Sequence, residues 1–306
     1  MSATIPVALR VHLAHAAVQA IAEEAGADVL HLKGPALDGV LRPTRQSRAP
    51  GATEGDTEPV PRLSTDVDVL VRPAHVKGLL HALQQHGWRY VTHFETGSAF
   101  EHAASLWHTE LGYVDVHRIF PGVSAPPKEA FAQLWSSRHP VRIAARPCQV
   151  PSIEFQRLLL ILHGAREGGL SNPDVDLVWT RASEQERTTT LQLGRELGAE
   201  VALAAATGRL DEFRDHPAHD LWRLFSTRDT SDRAAEWKAR LKAERTLAGR
   251  ARIAARSLLV NTDHLAMERG RELTRTEVVR EYGHRAGHAA RALWAQRPRK
   301  QVEGPR

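Results

Sequence analysis

The stretch "RLSTDVDVLVRP", residues 62–73, places two aspartates inside a run of aliphatic residues that is typical of a buried β-strand. Successive side chains of a strand point to opposite faces, so Asp66, Asp68 and Leu70 share one face and the three intervening valines share the other. The valines can then pack beneath helices while the carboxylates point together into a cleft. Two buried like charges need a cation, strong hydrogen bonds or water. The stretch therefore predicts a strand with one structural and one functional face.

A second strand-like stretch, "LGYVDVHRIF" at residues 111–120, repeats this pattern with Asp115 and His117 between valines. If the two strands are neighbours in one sheet, Asp115 faces the first pair of aspartates. Three carboxylates in one cleft suit two Mg²⁺ ions that support in-line phosphoryl transfer. An Asp-x-Asp pair alone also describes an exposed edge strand, so the second strand strengthens the metal hypothesis.

A candidate phosphate-binding turn lies in "HLKGPAL", residues 31–37, where a short strand ends at Lys33 and Gly34. We expect a helix to begin at Pro35, because proline is well tolerated in a first helical turn. A glycine allows close approach of a phosphate, a helix start offers free N–H groups, and Lys33 offers positive charge. A solvated Gly-Pro turn is the alternative. The chain has neither a G-x-x-x-x-G-K-[ST] nor a G-x-G-x-x-G motif, which argues against P-loop and Rossmann mechanisms.

The order of predicted elements indicates an α+β fold with a small mixed β-sheet core flanked by helices. A helix over 6–25, strands and a helix over 64–94, and a hairpin over 99–120 form the first half. After residue 151 the apolar spacing is helical and no convincing strand is present. We therefore expect a core over 1–150 with a flexible loop insertion at 42–61, an all-helical C-terminal domain over 151–296, and a disordered basic tail over 297–306.

Composition sets the remaining bounds. The 306 residues are 42% hydrophobic without an apolar run long enough to span a bilayer, so we expect a soluble, cytoplasmic protein without membrane contact. The 41 basic and 36 acidic residues nearly balance, and we do not expect nucleic acid as a partner. Cys148 is the only cysteine and is expected to be a small buried residue. The sequence leaves the oligomeric state open.

The motifs "LKGPAL", "RLSTDVDVLV", a helix ending in "GW", and "VDVHRIF" together resemble the uncharacterised nucleotidyltransferases, a branch of the DNA polymerase beta-like nucleotidyltransferase superfamily. The similarity covers about residues 5–185, because "LLLILHGAREGGLSNPDVDLVW" resembles the helical segment that follows the core in that branch. Lys33-Gly34 stands where the wider superfamily usually has Gly-Ser. The insertion between Leu41 and Arg62 also departs from the branch, and a lid and a plain surface insertion explain it equally well.

The resemblance implies Mg²⁺-dependent transfer of a nucleoside monophosphate from an NTP to a hydroxyl-bearing acceptor, with Mn²⁺ as a possible substitute. Asp66 and Asp68 would hold the metal ions and the phosphates, and Asp115 would complete the metal site and help to activate the acceptor. The residues implied for nucleotide binding are Lys33, Gly34, Arg62, Ser64, Thr65 and His117. The residues that could line the acceptor side are His163, Asp174 and Asp176, although helix capping explains Asp174 more simply.

Two alternatives stay open at this point. The chain could be a non-catalytic nucleotide-binding regulatory or partner protein that retains the fold. It could also be a metal-dependent glycosyltransferase that uses Asp-x-Asp, which would require a nucleotide-binding α/β domain before Asp66. The short segment before Asp66, much of it the predicted loop, disfavours this third reading.

Overall fold

The aspartate strand lies inside a five-stranded mixed sheet in the computed structural model, which describes residues 5–43, 64–229, 231–271 and 273–284. The strand order is β1-β2-β5-β4-β3; β2 and β5 are parallel, and the other neighbours are antiparallel. The hairpin predicted over 99–120 is confirmed as β4 and β5. The strands of this sheet are β1 Val29–Leu32, β2 Asp66–Val71, β3 Arg89–Thr92, β4 Ala103–His108 and β5 Gly112–His117.

Helices account for most of the remaining described residues, and after residue 150 the described part of the chain contains no strand, as predicted. None of the described helices has the length and apolar character needed to cross a membrane. The helices are α1 Val7–Glu24, α2 Val76–Gln85, α3 Phe94–Gly97, α4 Pro127–Ser136, α5 Ile153–Arg166, α6 Pro173–Val175, α7 Glu184–Glu196, α8 Glu200–Ala206, α9 His219–Ser226, α10 Arg233–Ala243, α11 Leu247–Leu258, α12 Thr262–Arg269 and a helix over 275–284.

The valine face of the sheet is covered by α1 and α2. Val67, Val69 and Val71 of β2 are fully buried there, in one cluster with apolar residues of β4, β5 and both helices. Alternation along β2 therefore separates the two faces as predicted, because each valine gains burial worth roughly 1.5 to 3 kcal/mol on the side away from the aspartates.

The opposite face of the sheet packs against the helical second half. Leu30 of β1 and Leu70 of β2 join a large apolar cluster that includes most of α5 and parts of α6 to α9. Helix α5 is buried along nearly its whole length. Since Asp66 and Asp68 share the face of Leu70, this packing brings the last turn of α5 to the open end of the same sheet face.

A two-stranded hairpin of β6 (His139–Ile143) and β7 (Arg146–Val150) was not predicted. It buries Cys148 completely, in a small cluster with Ala36, Ile143 and Val150. The expectation that Cys148 is a buried structural residue is confirmed.

The expected helix after Pro35 is wrong. The chain instead forms two 3₁₀ turns, Gly34–Ala36 and Gly39–Leu41, separated by an extended Leu37. Leu37 and Leu41 are both buried in the core beside α5. The second turn is capped by Asp38, whose side chain accepts from Val40 N at 3.0 Å.

The insertion predicted at 42–61 lies outside the described residues except for its first two positions, and the basic tail at 297–306 lies entirely outside them. The division of the chain at residue 150 stays a prediction.

Candidate active site

The carboxylates meet because β2 and β5 are parallel neighbours in matched register. Asp68 lies directly opposite Asp115, so the two side chains stand on the same face. Ligand atoms of Asp68, Asp115 and His117 all lie within 4.8 Å of one another. Asp66 lines the same cleft, outside this compact group of three. The expectation that the two aspartate strands are neighbours is confirmed.

Asp68 is the buried centre of the site. Its Oδ1 accepts hydrogen bonds from Lys33 Nζ at 3.2 Å and from His117 Nε2 at 2.8 Å. Burial alone would raise the pKa of Asp68, but the positive charge of Lys33 and the hydrogen bond from His117 outweigh it and hold that pKa well below its usual range. Asp68 is therefore an anion in a protein without bound metal.

Asp115 is held differently, although it is the direct neighbour of Asp68. Its Oδ1 accepts from Ser105 Oγ at 2.6 Å, across the pairing of β4 with β5. Burial and then the negative charge of Asp68 raise the pKa of Asp115, and His117 and Ser105 offset only part of this effect. The site thus contains one firmly ionised carboxylate beside a more basic one.

The Lys33-Gly34 turn closes one side of the site. Both residues have positive φ, 53° at Lys33 and 48° at Gly34. A Cβ at Gly34 would lie 2.9 Å from Ser64 Cβ, so only glycine fits there. Ser64 Oγ in turn donates to two oxygens of Asp66, the main-chain oxygen at 2.9 Å and Oδ1 at 3.1 Å. The turn therefore packs directly against the start of the aspartate strand.

Of the other predicted nucleotide-binding residues, Thr65 is exposed beside Ser64, and Arg62 lies outside the described residues. His117 is buried and donates to Asp68, while its ring lies 5.0 Å from the ring of His102. Its Nδ1 has no hydrogen-bond partner among the described residues.

The far wall of the cleft comes from α5, α9 and the segment after α3. The cleft has a volume of about 590 Å³. His163, which was predicted to line the acceptor side, is part of this wall. The wall residues that the sequence reasoning missed include Phe100, His102, Arg166, Glu167, Phe225 and Arg228. The three-residue spacing of His163 and Arg166 in the last turn of α5 could have identified Arg166.

Asp174 and Asp176 are not among the described residues that line the cleft, so that part of the acceptor-side hypothesis is wrong. Asn172, and not Asp174, caps helix α6: its side chain accepts from Asp174 N at 2.9 Å. Asp176 forms an ion pair with Arg181 at 2.7 Å.

The donor set fits Mg²⁺. This ion prefers oxygen ligands and binds through one or two carboxylates while it retains open positions, and Asp68 and Asp115 present carboxylate oxygens side by side with Asp66 close by.

The chain has an α+β fold, with paired aspartates on neighbouring strands of a mixed sheet and a helical second half. The chain belongs to the uncharacterised nucleotidyltransferase family. The sequence profile of that family matches residues 57–215, which is more than half of the chain. It is therefore an enzyme of the nucleotidyltransferase class. The family assignment rests on this sequence match.

Several solved structures are similar to parts of the chain, and no curated protein matches it. The lincosamide antibiotic adenylyltransferase LnuA with bound lincomycin is 16% identical, with 58% of this chain and 92% of that chain covered and a TM-score of 0.32. The antibiotic-resistance factor ANT(2'')-Ia is 17% identical, with 68% and 97% covered and a TM-score of 0.36. An antigenic nucleotidyltransferase-like protein from Paracoccidioides brasiliensis is 14% identical, with 65% and 93% covered and a TM-score of 0.32.

Proposed function

We propose that this protein transfers a nucleoside monophosphate from an NTP to a hydroxyl group of an acceptor, a small molecule or a peptide or protein, and releases pyrophosphate. The observation that carries this proposal is the register of β2 and β5, which sets Asp68 opposite Asp115 beside Asp66 in one cleft. The family supplies the reaction class.

In this proposal Asp66, Asp68 and Asp115 hold two Mg²⁺ ions, for which Mn²⁺ can substitute. Bound Mg²⁺ would neutralise the triphosphate and lower the pKa of the acceptor hydroxyl. Lys33 and His117 keep Asp68 ionised and oriented, so the ligand oxygens are in place before the metal arrives.

The chemical step forms a bond between the acceptor oxygen and the α-phosphorus and breaks the bond from that phosphorus to the oxygen that bridges to the β-phosphate. Pyrophosphate leaves with the electron pair of the broken bond. Asp115 helps to remove the hydroxyl proton, and the hydrogen bond from Ser105 fixes its orientation in the cleft.

The nucleotide phosphates are expected to lie against the Lys33-Gly34 turn. Gly34 lets the turn pack closely against Ser64, and Lys33 adds positive charge next to Asp68. Ser64 and Thr65 at the start of β2 and Arg62 just before them complete the proposed set of nucleotide-binding groups, with His117 behind Asp68.

The test combines the purified protein with Mg²⁺ and each NTP in turn and measures nucleotide binding and pyrophosphate release. We expect both signals to require Mg²⁺, to disappear with EDTA, and to be lost in Asp66→Ala and Asp68→Ala. Asp176→Ala is the matched control, since this exposed aspartate lies outside the cleft. Equal signals in the wild type and both cleft variants would refute the site.

A non-catalytic nucleotide-binding role is the second candidate. It is favoured by the hydrogen bonds that Asp68 Oδ1 already accepts from Lys33 and His117, which balance its charge without a metal. Mg²⁺-dependent nucleotide binding without pyrophosphate release across an acceptor screen would identify this role. The glycosyltransferase alternative gains no support, because residues 5–43 form one helix, one strand and two short turns and not a separate α/β domain.

A further inference from the structure

Arg166, the last residue of α5, is fixed in the cleft by two histidines. Its Nη1 lies 3.1 Å from His102 Nε2 and its Nη2 lies 3.1 Å from His163 Nδ1. A guanidinium group can only donate, so both imidazole nitrogens accept and neither ring is doubly protonated. The remaining proton of His102 then lies on Nδ1, which is 2.7 Å from Ser98 Oγ. The histidines therefore orient Arg166 without neutralising its charge.

The charge of Arg166 lacks a direct counter-ion. Among the described residues it forms no ion pair with a carboxylate, and its Nε is buried without a hydrogen-bond acceptor. Burial lowers the pKa of Arg166, while the more distant carboxylates of Glu167, Asp68 and Asp115 oppose that shift. A desolvated cation without a close anion is unfavourable, and a bound anion would relieve this.

Two other arginines in the second half, the buried Arg240 and the partly buried Arg256, are paired in the ordinary way. Arg240 and Arg256 both contact the carboxylate of Glu101, which lies one residue before His102. Carboxylates are thus available to arginines nearby, but the guanidinium of Arg166 faces the open cleft instead.

We propose that Arg166, held between His102 and His163, binds the β- and γ-phosphates of the nucleotide and the pyrophosphate that leaves. This inference rests on the proposed function and adds a phosphate-binding residue on the helical wall. Lys33, the cation expected for this role, already donates to Asp68 on the opposite wall. A planar guanidinium can form two parallel hydrogen bonds with a phosphate, and Arg166 retains one further N–H on each of Nη1 and Nη2 for this purpose. His102 and His163 are positioning residues.

The test measures the binding of inorganic pyrophosphate with Mg²⁺ by calorimetry in the wild type, Arg166→Gln, Arg166→Lys and Arg181→Gln. We expect Arg166→Gln to weaken binding by roughly 10- to 100-fold, the range for a lost charged hydrogen bond. The affinity of Arg166→Lys for pyrophosphate should lie between those of the wild type and Arg166→Gln, because lysine retains the charge and cannot form two parallel hydrogen bonds. Arg181→Gln should match the wild type, since Arg181 pairs with Asp176 outside the cleft.

The outcomes separate the two proposals. If the wild type and Arg166→Gln bind pyrophosphate with equal affinity, the proposed role of Arg166 is overturned and the proposed function is unaffected. A wild type that binds neither pyrophosphate nor any NTP in the presence of Mg²⁺ overturns both.

A measurement on the wild type covers the case in which a variant fails to fold. Arginine side chains are modified with phenylglyoxal, with and without saturating Mg²⁺ and pyrophosphate, and the modified peptides are quantified by mass spectrometry. We expect pyrophosphate to protect Arg166 and to leave the modification of Arg181 unchanged. Equal modification of Arg166 in both samples would contradict the inference.

Discussion

Replacement of Asp115 by asparagine is expected to abolish activity and to stabilise the metal-free fold. In the wild type the ligand atoms of Asp68 and Asp115 lie within 4.8 Å of each other. Two unit charges at that distance repel by about 3 kcal/mol at an effective dielectric constant of 20. Lys33 and His117 offset part of this repulsion at Asp68, so we expect Asp115→Asn to raise the free energy of unfolding by ~1 to 2 kcal/mol. The bond from Ser105 Oγ survives, because the asparagine oxygen can accept it.

The gain in stability should depend on pH in a defined direction. The folded pKa of Asp115 is raised above its unfolded value of about 4, so the folded protein retains this proton to higher pH than the unfolded chain does. The stability linked to Asp115 is therefore fully present below the unfolded pKa and is lost as the pH rises through the raised folded pKa. Asp68 contributes with the opposite sign in both proteins. The advantage of Asp115→Asn should be small near pH 4 and complete at neutral pH.

The assay is urea unfolding in EDTA at a series of pH values, for the wild type, Asp115→Asn and the exposed control Asp176→Asn. The control should stay within ~0.5 kcal/mol of the wild type. Mg²⁺ should make the wild type more stable than Asp115→Asn, because a ligand at 100 times its Kd stabilises the protein that binds it by about 2.7 kcal/mol. An Asp115→Asn variant that is no more stable than the wild type in EDTA at neutral pH, or an advantage independent of pH, would refute the account of the site as two repelling carboxylates.

Three further predictions concern the turn, the thiol and the core. Gly34→Ala should destabilise the fold by ~1 to 3 kcal/mol in thermal unfolding and impair nucleotide binding, because Gly34 has a positive φ and an added Cβ would lie 2.9 Å from Ser64 Cβ. Gly39→Ala is the control, because an added Cβ at Gly39 would have no atom within 4 Å. Equal losses of stability in the two variants would contradict this prediction. Cys148 should resist a thiol reagent at pH 8 until urea unfolds the protein, since burial raises its pKa to about 11; rapid labelling of the native protein would show that the hairpin opens readily. Leu79→Ala in α2 should lower the free energy of unfolding by ~2 to 5 kcal/mol with unchanged affinity for pyrophosphate, because Leu79 is buried under the valine face far from the cleft.

The functional face of β2 could be predicted from the sequence because strand alternation is a local property. Val67 and Val69 lie under the helices, and Asp66 and Asp68 point the other way, as the period of two requires. The register that places Asp68 opposite Asp115 could not be predicted from the sequence. It depends on a parallel pairing whose connection runs through α2, β3 and β4, and residue spacing alone does not fix such a register.

The missed hairpin and the wrong helix have separate physical causes. Ala144 and Ala145 form the turn between β6 and β7 with φ of 45° and 67°, a conformation that sequences usually mark with glycine or asparagine. Pro35 is a correct local signal for a helical turn, but the turn ends at Leu37, which is extended and buried in the core. In both places tertiary packing overrides local preference.

The far wall of the cleft was the least predictable part of the site. His102 follows α3 and Arg166 ends α5, and the two meet because α5 packs in one apolar core with Leu30 and Leu70 of the sheet. No local pattern links residues 64 positions apart in the chain.

Helix α5 is buried along nearly its whole length in the core and also carries Arg166, and this dual role constrains how the family can diverge. One inserted or deleted residue within Ile153–Arg166 would rotate the last turn by about 100° relative to the buried face and swing the guanidinium out of the cleft. Substitutions along the helix can be absorbed by repacking, whereas changes in its length cannot. We therefore expect homologous sequences that retain the arginine to have no gaps between Ser152 and Arg166, and gaps of varied length to occur in the connections on either side.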